Sequence, residues 1–313
     1  MPRIAYLSWP APEFSGGVKT TFRHVELLRG AGFDAVVATP DGKPPGWFRT
    51  DAPHETFADL RADDVLVLPE NSHKWLERFA PRPNRKLVFC QSWSLVYRGL
   101  ANYASFAEAG VRHILCPSHT VMQFCRERFP GTQLAYTPVL IDEQVFKPAA
   151  EKKLQVMAVP FKRMVEFGAL HDFFHARYPQ WKHVPWHFAK EASEDDVARS
   201  MGESAVFLSM ARLEAMGMTG LEAMASDCVV TGYSGLPGGT DSATLRSGFW
   251  AREDDLYDAA RQLDRALAVA QEGGPVRDGM VAAGRETAAR YRRQPVTDAL
   301  AAFWRGFLGA KAA

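Results

Sequence analysis

Two glutamates with seven residues between them, Glu214 and Glu222, enclose a glycine-bearing loop in the run Ala205–Tyr233, AVFLSMARLEAMGMTGLEAMASDCVVTGY. Val206, Phe207 and Leu208 form the short apolar run of a parallel-sheet strand. Gly217 and Gly220 let the backbone approach a ligand that a Cβ would hold off. Thr219 is the expected N-cap of the next helix, and Leu221, Met224 and Ala225 supply its apolar face. A helix N-terminus opening at a strand's carboxyl end is a phosphate site, because its unpaired N–H groups point outward together. One carboxylate stands before that loop and another falls within the first helical turn. The pair suits a ligand with hydroxyls on both sides of a phosphate, which is the shape of a nucleotide sugar.

The rest of the chain must place this loop at a sheet edge. Arg3–Trp9, Ala35–Thr39, Val65–Pro69, Lys86–Cys90 and His113–Cys116 are expected strands. Between them Val18–Ala31, with Val18, Phe22, Val25 and Leu28 in helical period and Gly32 as a stop, His73–Phe79 and Ser118–Phe129 are expected helices, Ser118 being an N-cap. Alternating strands and helices imply an α/β fold with a doubly wound parallel sheet that binds ligands at its carboxyl ends. Glu70 and Asn71 follow one strand and Gln91, Ser92 and Trp93 the next, so these side chains project to where a second substrate would sit. A chain of 313 residues suggests two units of about 150. Lys153–Val159 opens a second sheet after a polar linker near Ala149–Lys152, and helices near Asp254–Gln271, Val276–Tyr291 and Val296–Leu308 complete the chain.

The string EAMGMTGLEAMA, Glu214 to Ala225, resembles the E-x7-E motif of GT-B glycosyltransferases of the retaining, group 1 kind, whose usual text is close to E-G-F-G-L-P-x-L-E-A-M-A. Ala215, Met216, Met218 and Thr219 depart from it, while both acids and both glycines are kept. The resemblance implies that Glu214 contacts hydroxyls of the donor sugar, that Glu222 holds the nucleotide ribose, and that the backbone of Ala215, Met216, Gly217, Met218, Thr219 and Gly220 lies against sugar and pyrophosphate. It further implies that Arg163, with Lys162 second, clasps the pyrophosphate. Their loop is shorter than the family's G-R-x-x-x-K-G, and a solvated basic pair is the alternative reading. Phe14-Ser-Gly-Gly-Val-Lys19 resembles the family's early G-G loop, so Gly16 and Gly17 fall on the acceptor side with Glu70 and Trp93; a bare glycine turn competes with that reading, most strongly at Gly16. Pro138–Pro148 resembles the segment that ends the first domain, matched at Ile141, Asp142, Phe146 and Pro148. Gly235–Asp241 resembles a G-G-x-x-E loop with Asp241 displaced, and a surface turn explains it equally. The histidine that many relatives carry near Gln91–Trp93 is missing, which leaves open the group that assists the acceptor.

The implied fold is GT-B, two Rossmann-like doubly wound domains facing across a cleft, 1–149 on the acceptor side and 150–313 on the donor side, with the last helix free to cross back. The implied activity is transfer, with retention and without a metal ion or other cofactor, from a nucleoside-diphosphate sugar to a glycan, lipid or other acceptor, as in polysaccharide assembly. An epimerase or hydrolase on the same fold, and a non-catalytic nucleotide-sugar-binding protein, are the alternatives.

Other chemistries lack their residues. G-x-x-x-x-G-K-[ST] and G-x-G-x-x-G are absent. His171, His175, His183 and His187 lack H-E-x-x-H, and Asp63-Asp64 and Glu194-Asp195-Asp196 begin a strand and a helix. Cys90, Cys116, Cys125 and Cys228 have no C-x-x-C spacing and fit buried reduced thiols. A formal net charge of +1 offers no field for nucleic acid or an anionic membrane, so at most peripheral membrane contact is expected. The first residues lack a signal-peptide pattern, which makes a cytoplasmic protein the expectation and disfavours a periplasmic solute receptor.

Overall fold

A computed structural model describes residues 2–10, 14–100, 102–189 and 192–309. The chain divides into two compact units, Met1–Leu140 with Arg293–Ala313, and Ile141–Arg292. In the first unit the elements run β1 (Ile4–Leu7), α1 (Gly16–Gly30), β2 (Ala35–Thr39), β3 (His54–Thr56), β4 (Val65–Pro69), α2 (His73–Phe79), β5 (Lys86–Phe89), α3 (Val96–Leu100), β6 (His113–Cys116), α4 (His119–Arg128) and β7 (Gln133–Tyr136). They build a seven-stranded sheet in the order β3-β2-β1-β4-β5-β6-β7, every pair parallel. The chain first moves outward from β1 to β3 and then returns to β4 on β1's other side. Neighbouring connections therefore diverge between β1 and β4, opening a crevice at their carboxyl ends.

The strand sequences explain this arrangement. β1 and β2 are buried at every residue, as parallel strands covered on both faces require. Ser15 caps α1 by accepting from Val18 N–H, and Ser118 caps α4 by accepting from Val121 N–H at 3.1 Å. Phe22, Val25 and Leu28 of α1 join Ile4, Tyr6, Val37 and Phe89 in one core.

The second unit continues with β8 (Lys153–Ala158), α5 (Met164–Arg177), β9 (Trp186–Phe188), α6 (Glu194–Glu203), β10 (Ser204–Ala211), α7 (Met218–Ala225), β11 (Val229–Ser234), β12 (Gly248–Trp250), α8 (Leu256–Glu272) and α9 (Gly274–Ala289). Its five strands are also all parallel, in the order β12-β11-β10-β8-β9. Here the direction of winding reverses between β8 and β10. Val156, Phe167, Leu170, Val206, Leu208, Tyr233, Leu263 and Leu267 lie in its core.

The contact division falls at Leu140–Ile141, earlier than the linker near 149. Ile141 N–H donates to Tyr291 O at 2.8 Å and Ala149 N–H to Gly202 O at 3.0 Å, which ties the intervening segment to the second unit. A Cβ on Gly202 would stand 2.8 Å from the carbonyl oxygen of Lys147, so only glycine lets α6 come this close. The last helix, α10 (Arg293–Gly309), is part of the first unit, where Val296, Leu300, Trp304 and Phe307 enter the core beside α1. Gly306 is exposed on α10 with no atom near the place a Cβ would occupy. Gly306→Ala is therefore expected to raise stability by about 0.5–1 kcal/mol, read by chemical denaturation.

Candidate functional site

At the reversal point of the second sheet, the loops after β8 and β10 meet. Lys162, half exposed, donates from Nζ to Glu214 Oε1 at 2.8 Å and to Arg212 O at 3.1 Å. Gly217 follows, with φ of +74°, a left-handed conformation that favours glycine, and turns the chain into α7. Gly217 rather than Thr219 is the N-cap: the left-handed turn starts the helix at Met218, so Thr219 is already helical and caps nothing with its side chain. Glu222 is consequently the fifth helical residue, one turn in, and it is buried. The first turn of α7, from Met218 to Gly220, points its N–H groups out of the open end of the helix. Ala215 and Met216 lie between Glu214 and that turn, with Met216 buried. The structure thus brings Lys162, Glu214 and the 215–220 backbone together.

Arg163 takes a different place. The loop after β8 is a single 3-10 turn, Phe161–Arg163, which swings this side chain inward until it is fully buried. Its Nε donates to Ala211 O at 3.0 Å, its terminal nitrogens pair with Glu253 and Asp254, and its guanidinium lies 4.4 Å from the centre of the Tyr233 ring. Arg163 ties β10 to the segment before α8, and contact with a diphosphate would require it to release those acids. Arg212, which sequence reasoning passed over, receives Lys162 on its backbone carbonyl and carries an exposed guanidinium that pairs with Glu166 at 3.0 Å.

The loop after β11 braces the same loop from behind. Gly235 O accepts from Glu214 N–H at 3.1 Å, and Gly238 N–H donates to Glu214 O at 2.9 Å. A Cβ on Gly238 would lie 2.2 Å from the Ala215 carbonyl carbon, and one on Gly239 would lie 1.6 Å from Ser234 O. These glycines position Glu214; the spacing of G-L-P-G-G was the only sequence signal for it.

In the first unit, Gly16 and Gly17 form the opening turn of α1, and their carbonyls accept from the Thr20 and Thr21 hydroxyls. Gly17 faces the Gln91 amide: a Cβ there would stand 3.4 Å from Gln91 Oε1. Glu70 is buried at the end of β4. Burial raises its pKa to about 7. Gly99 on α3 lies against it, and a Cβ there would stand 1.7 Å from Glu70 O. Gly17, Glu70 and Gln91 are therefore gathered at the carboxyl ends of β4 and β5. Trp93, two residues beyond Gln91, packs edge-on against Phe124 of α4. Trp9, which the sequence placed at the end of a strand, lies beyond β1, exposed.

All four cysteines are free and buried. His171 and His175 lie one turn apart on α5 with ring centres 4.4 Å apart and planes tilted by 57°, beside Trp186. Among the described residues no group of three or more His, Cys, Asp or Glu side chains is arranged to hold a metal ion. Nor is any described helix long and apolar enough to cross a membrane.

No protein-family model matches the chain. Over 93 residues it is 39% identical to an alpha-1,6-glucosyltransferase of Actinobacillus pleuropneumoniae serotype 7, a match covering 29% of this chain and 28% of that protein. Among solved structures, a sucrose-phosphate synthase from Thermosynechococcus elongatus superposes with a TM-score of 0.71 at 13% identity, covering 99% of this chain and 100% of that one. The Anabaena HepE protein, in complex with UDP and glucose, gives 0.67 at 12% identity, covering 98% and 100%. Two wholly parallel α/β sheets, each reversing its winding once, superposed almost end to end on such enzymes, give this chain the GT-B fold of glycosyltransferases.

Proposed function

We propose that the chain is a retaining glycosyltransferase whose second unit holds a nucleoside-diphosphate sugar and whose first unit holds the acceptor. The observation that carries this reading is the position of Glu214, Lys162 and the N-terminus of α7 at the reversal point of the second sheet, with Glu222 one turn along the helix. The diphosphate takes the α7 amides and Lys162, which leaves Glu214 when the anion arrives. In that role they supply the positive charge that a divalent ion supplies in other transferases. Glu214 is then released to the hydroxyls of the donor sugar, and Glu222 takes the ribose hydroxyls. As the sugar–phosphate bond breaks, negative charge grows on the leaving diphosphate, where those donors are already aimed. The shared text of the E-x7-E run and the 39% identity to a glucosyltransferase over 93 residues support this reading.

The test is binding and turnover with UDP-, GDP- and dTDP-sugars. At least one of them is expected to raise the melting temperature. Glu222→Gln is expected to weaken that donor by about 1.5–3 kcal/mol, roughly 10- to 150-fold, by loss of charge-assisted hydrogen bonds. Glu214→Gln should lower turnover with a smaller change in nucleotide affinity. A chain that no nucleotide sugar stabilises would reject the reading. Release of free sugar or of an epimer from donor alone would replace it with hydrolysis or epimerisation.

A further inference from the structure

The crevice between β1 and β4 of the first sheet is bridged by one side-chain hydrogen bond. Trp9, two residues beyond β1, donates its indole Nε1–H to Oδ1 of Asn71, two residues beyond β4, at 3.0 Å. The indole also stacks on Trp75 of α2, with ring centres 4.2 Å apart and 27° between planes. Trp75 is buried, whereas Trp9 keeps 39% of its surface exposed. With one face covered by Trp75 and the nitrogen edge tied to Asn71, the opposite face is the one left to a ligand. The ring is held from two directions, so stacking something on it costs little further ordering.

We infer that Trp9 is the stacking platform of a carbohydrate subsite on the first unit, where a pyranose ring of the acceptor lies on the open indole face. This rests on the transferase reading. A pyranose carries C–H groups with partial positive charge on its flatter side, and an indole face is the negative end of its quadrupole. Its hydroxyl rim needs polar partners at the edge of the stack. Asn71 has spent its carbonyl oxygen on Trp9, and its amide nitrogen has no partner among the described residues, so it is available to donate to a sugar hydroxyl. An acyl chain fits this surface poorly. Among the described residues of the first unit, Trp9 and Tyr97 are the only exposed large apolar side chains, and the Tyr97 ring lies under Arg128. One isolated aromatic face beside an amide is a sugar's partner, whereas a lipid tail requires a continuous groove.

Saturation-transfer NMR on the full chain tests this with methyl β-glucopyranoside, methyl β-galactopyranoside and methyl α-mannopyranoside as probes. At least one is expected to receive saturation mainly on the axial protons of one ring face. Trp9→Ala is expected to weaken that signal about fivefold or more, the worth of a stacked pair, whereas Trp9→Phe keeps most of it. Circular dichroism and melting of both variants establish that the fold is intact. Saturation spread evenly over the sugar, an unchanged signal in Trp9→Ala, or no transfer to any probe would overturn the subsite. Donor binding is followed on the same samples. Face-selective, Trp9-dependent sugar binding without binding of any nucleotide sugar would reject the transferase reading and keep the subsite. Nucleotide-sugar binding without glycoside binding would do the reverse.

Discussion

Gly238→Ala is expected to lower turnover about 100-fold, because a displacement near 1 Å at a reacting centre has an effect of that size. The added methyl would lie 2.2 Å from the Ala215 carbonyl carbon and 2.4 Å from the carbonyl oxygens of Ala215 and Glu214. All three are backbone atoms, so no rotamer change relieves the overlap. The loop after β11 and the loop after β10 must part, and the 2.9 Å bond from Gly238 N–H to Glu214 O goes with them. Overpacking of this kind costs about 1–3 kcal/mol of stability as well. Melting curves, donor affinity and turnover should therefore fall together. Gly168→Ala, at an exposed α5 position with no atom near the new methyl, is the matched control and should leave turnover unchanged. Full turnover in Gly238→Ala would show that the position of the Glu214 backbone does not matter to the reaction.

Glu70→Gln is expected to stabilise the protein at alkaline pH and to leave it nearly unchanged at acid pH. Burial raises Glu70 from 4.5 to about 7. Between those values the folded chain keeps a proton that the unfolded chain has lost. The contribution of Glu70 is therefore full below pH 4.5 and is lost as pH rises through about 7, a change of about 3 kcal/mol. Glutamine has nearly the same shape as glutamate and cannot ionise. The gain of Glu70→Gln over the parent should grow to about 3 kcal/mol by pH 8.5, measured by chemical denaturation at several pH values. His24 works in the opposite sense. Its ring is buried against Phe89 with Nε2 on Pro138 O, and burial lowers its pKa to about 4. Its contribution is present above 6.5 and is lost as pH falls through about 4, equally in parent and variant, so it cancels in the difference. A gain independent of pH would show that Glu70 is solvated like an ordinary carboxylate.

The interior of each sheet was legible in the sequence, and its borders were not. β2, β4, β6 and α2 span the ranges expected from apolar runs and caps, because strands buried on both faces need continuous apolar residues. β3, β7, β9 and β12 went unseen. Each is three or four residues long, lies at the border of its sheet and has few buried positions, so no run of apolar residues marks it. Glu214 and Glu222 stood out by type and spacing, whereas Lys162 entered only through the resemblance and second to Arg163; its contact with Glu214 is visible only in the fold. The inward turn of Arg163 was not legible, because neighbouring residues in a 3-10 turn point in different directions and the acids that claim it, Glu253 and Asp254, lie about ninety positions on. Trp9 was hidden for the opposite reason. An aromatic residue next to a strand looks like more strand until its partners, Asn71 and Trp75, are known.

The return of α10 to the first unit carries a consequence for biosynthesis. A ribosome makes residues 1–140 first, yet Val296, Leu300, Trp304 and Phe307 are the last of that unit's interior to leave the exit tunnel. The continuous stretch 141–292 is able to close on itself while the earlier-made half still waits, its α1 surface bare. The first unit, begun first, is thus the later of the two to have its whole core synthesised, and chains cut short before 293 would leave an apolar seam for chaperones or aggregation to claim.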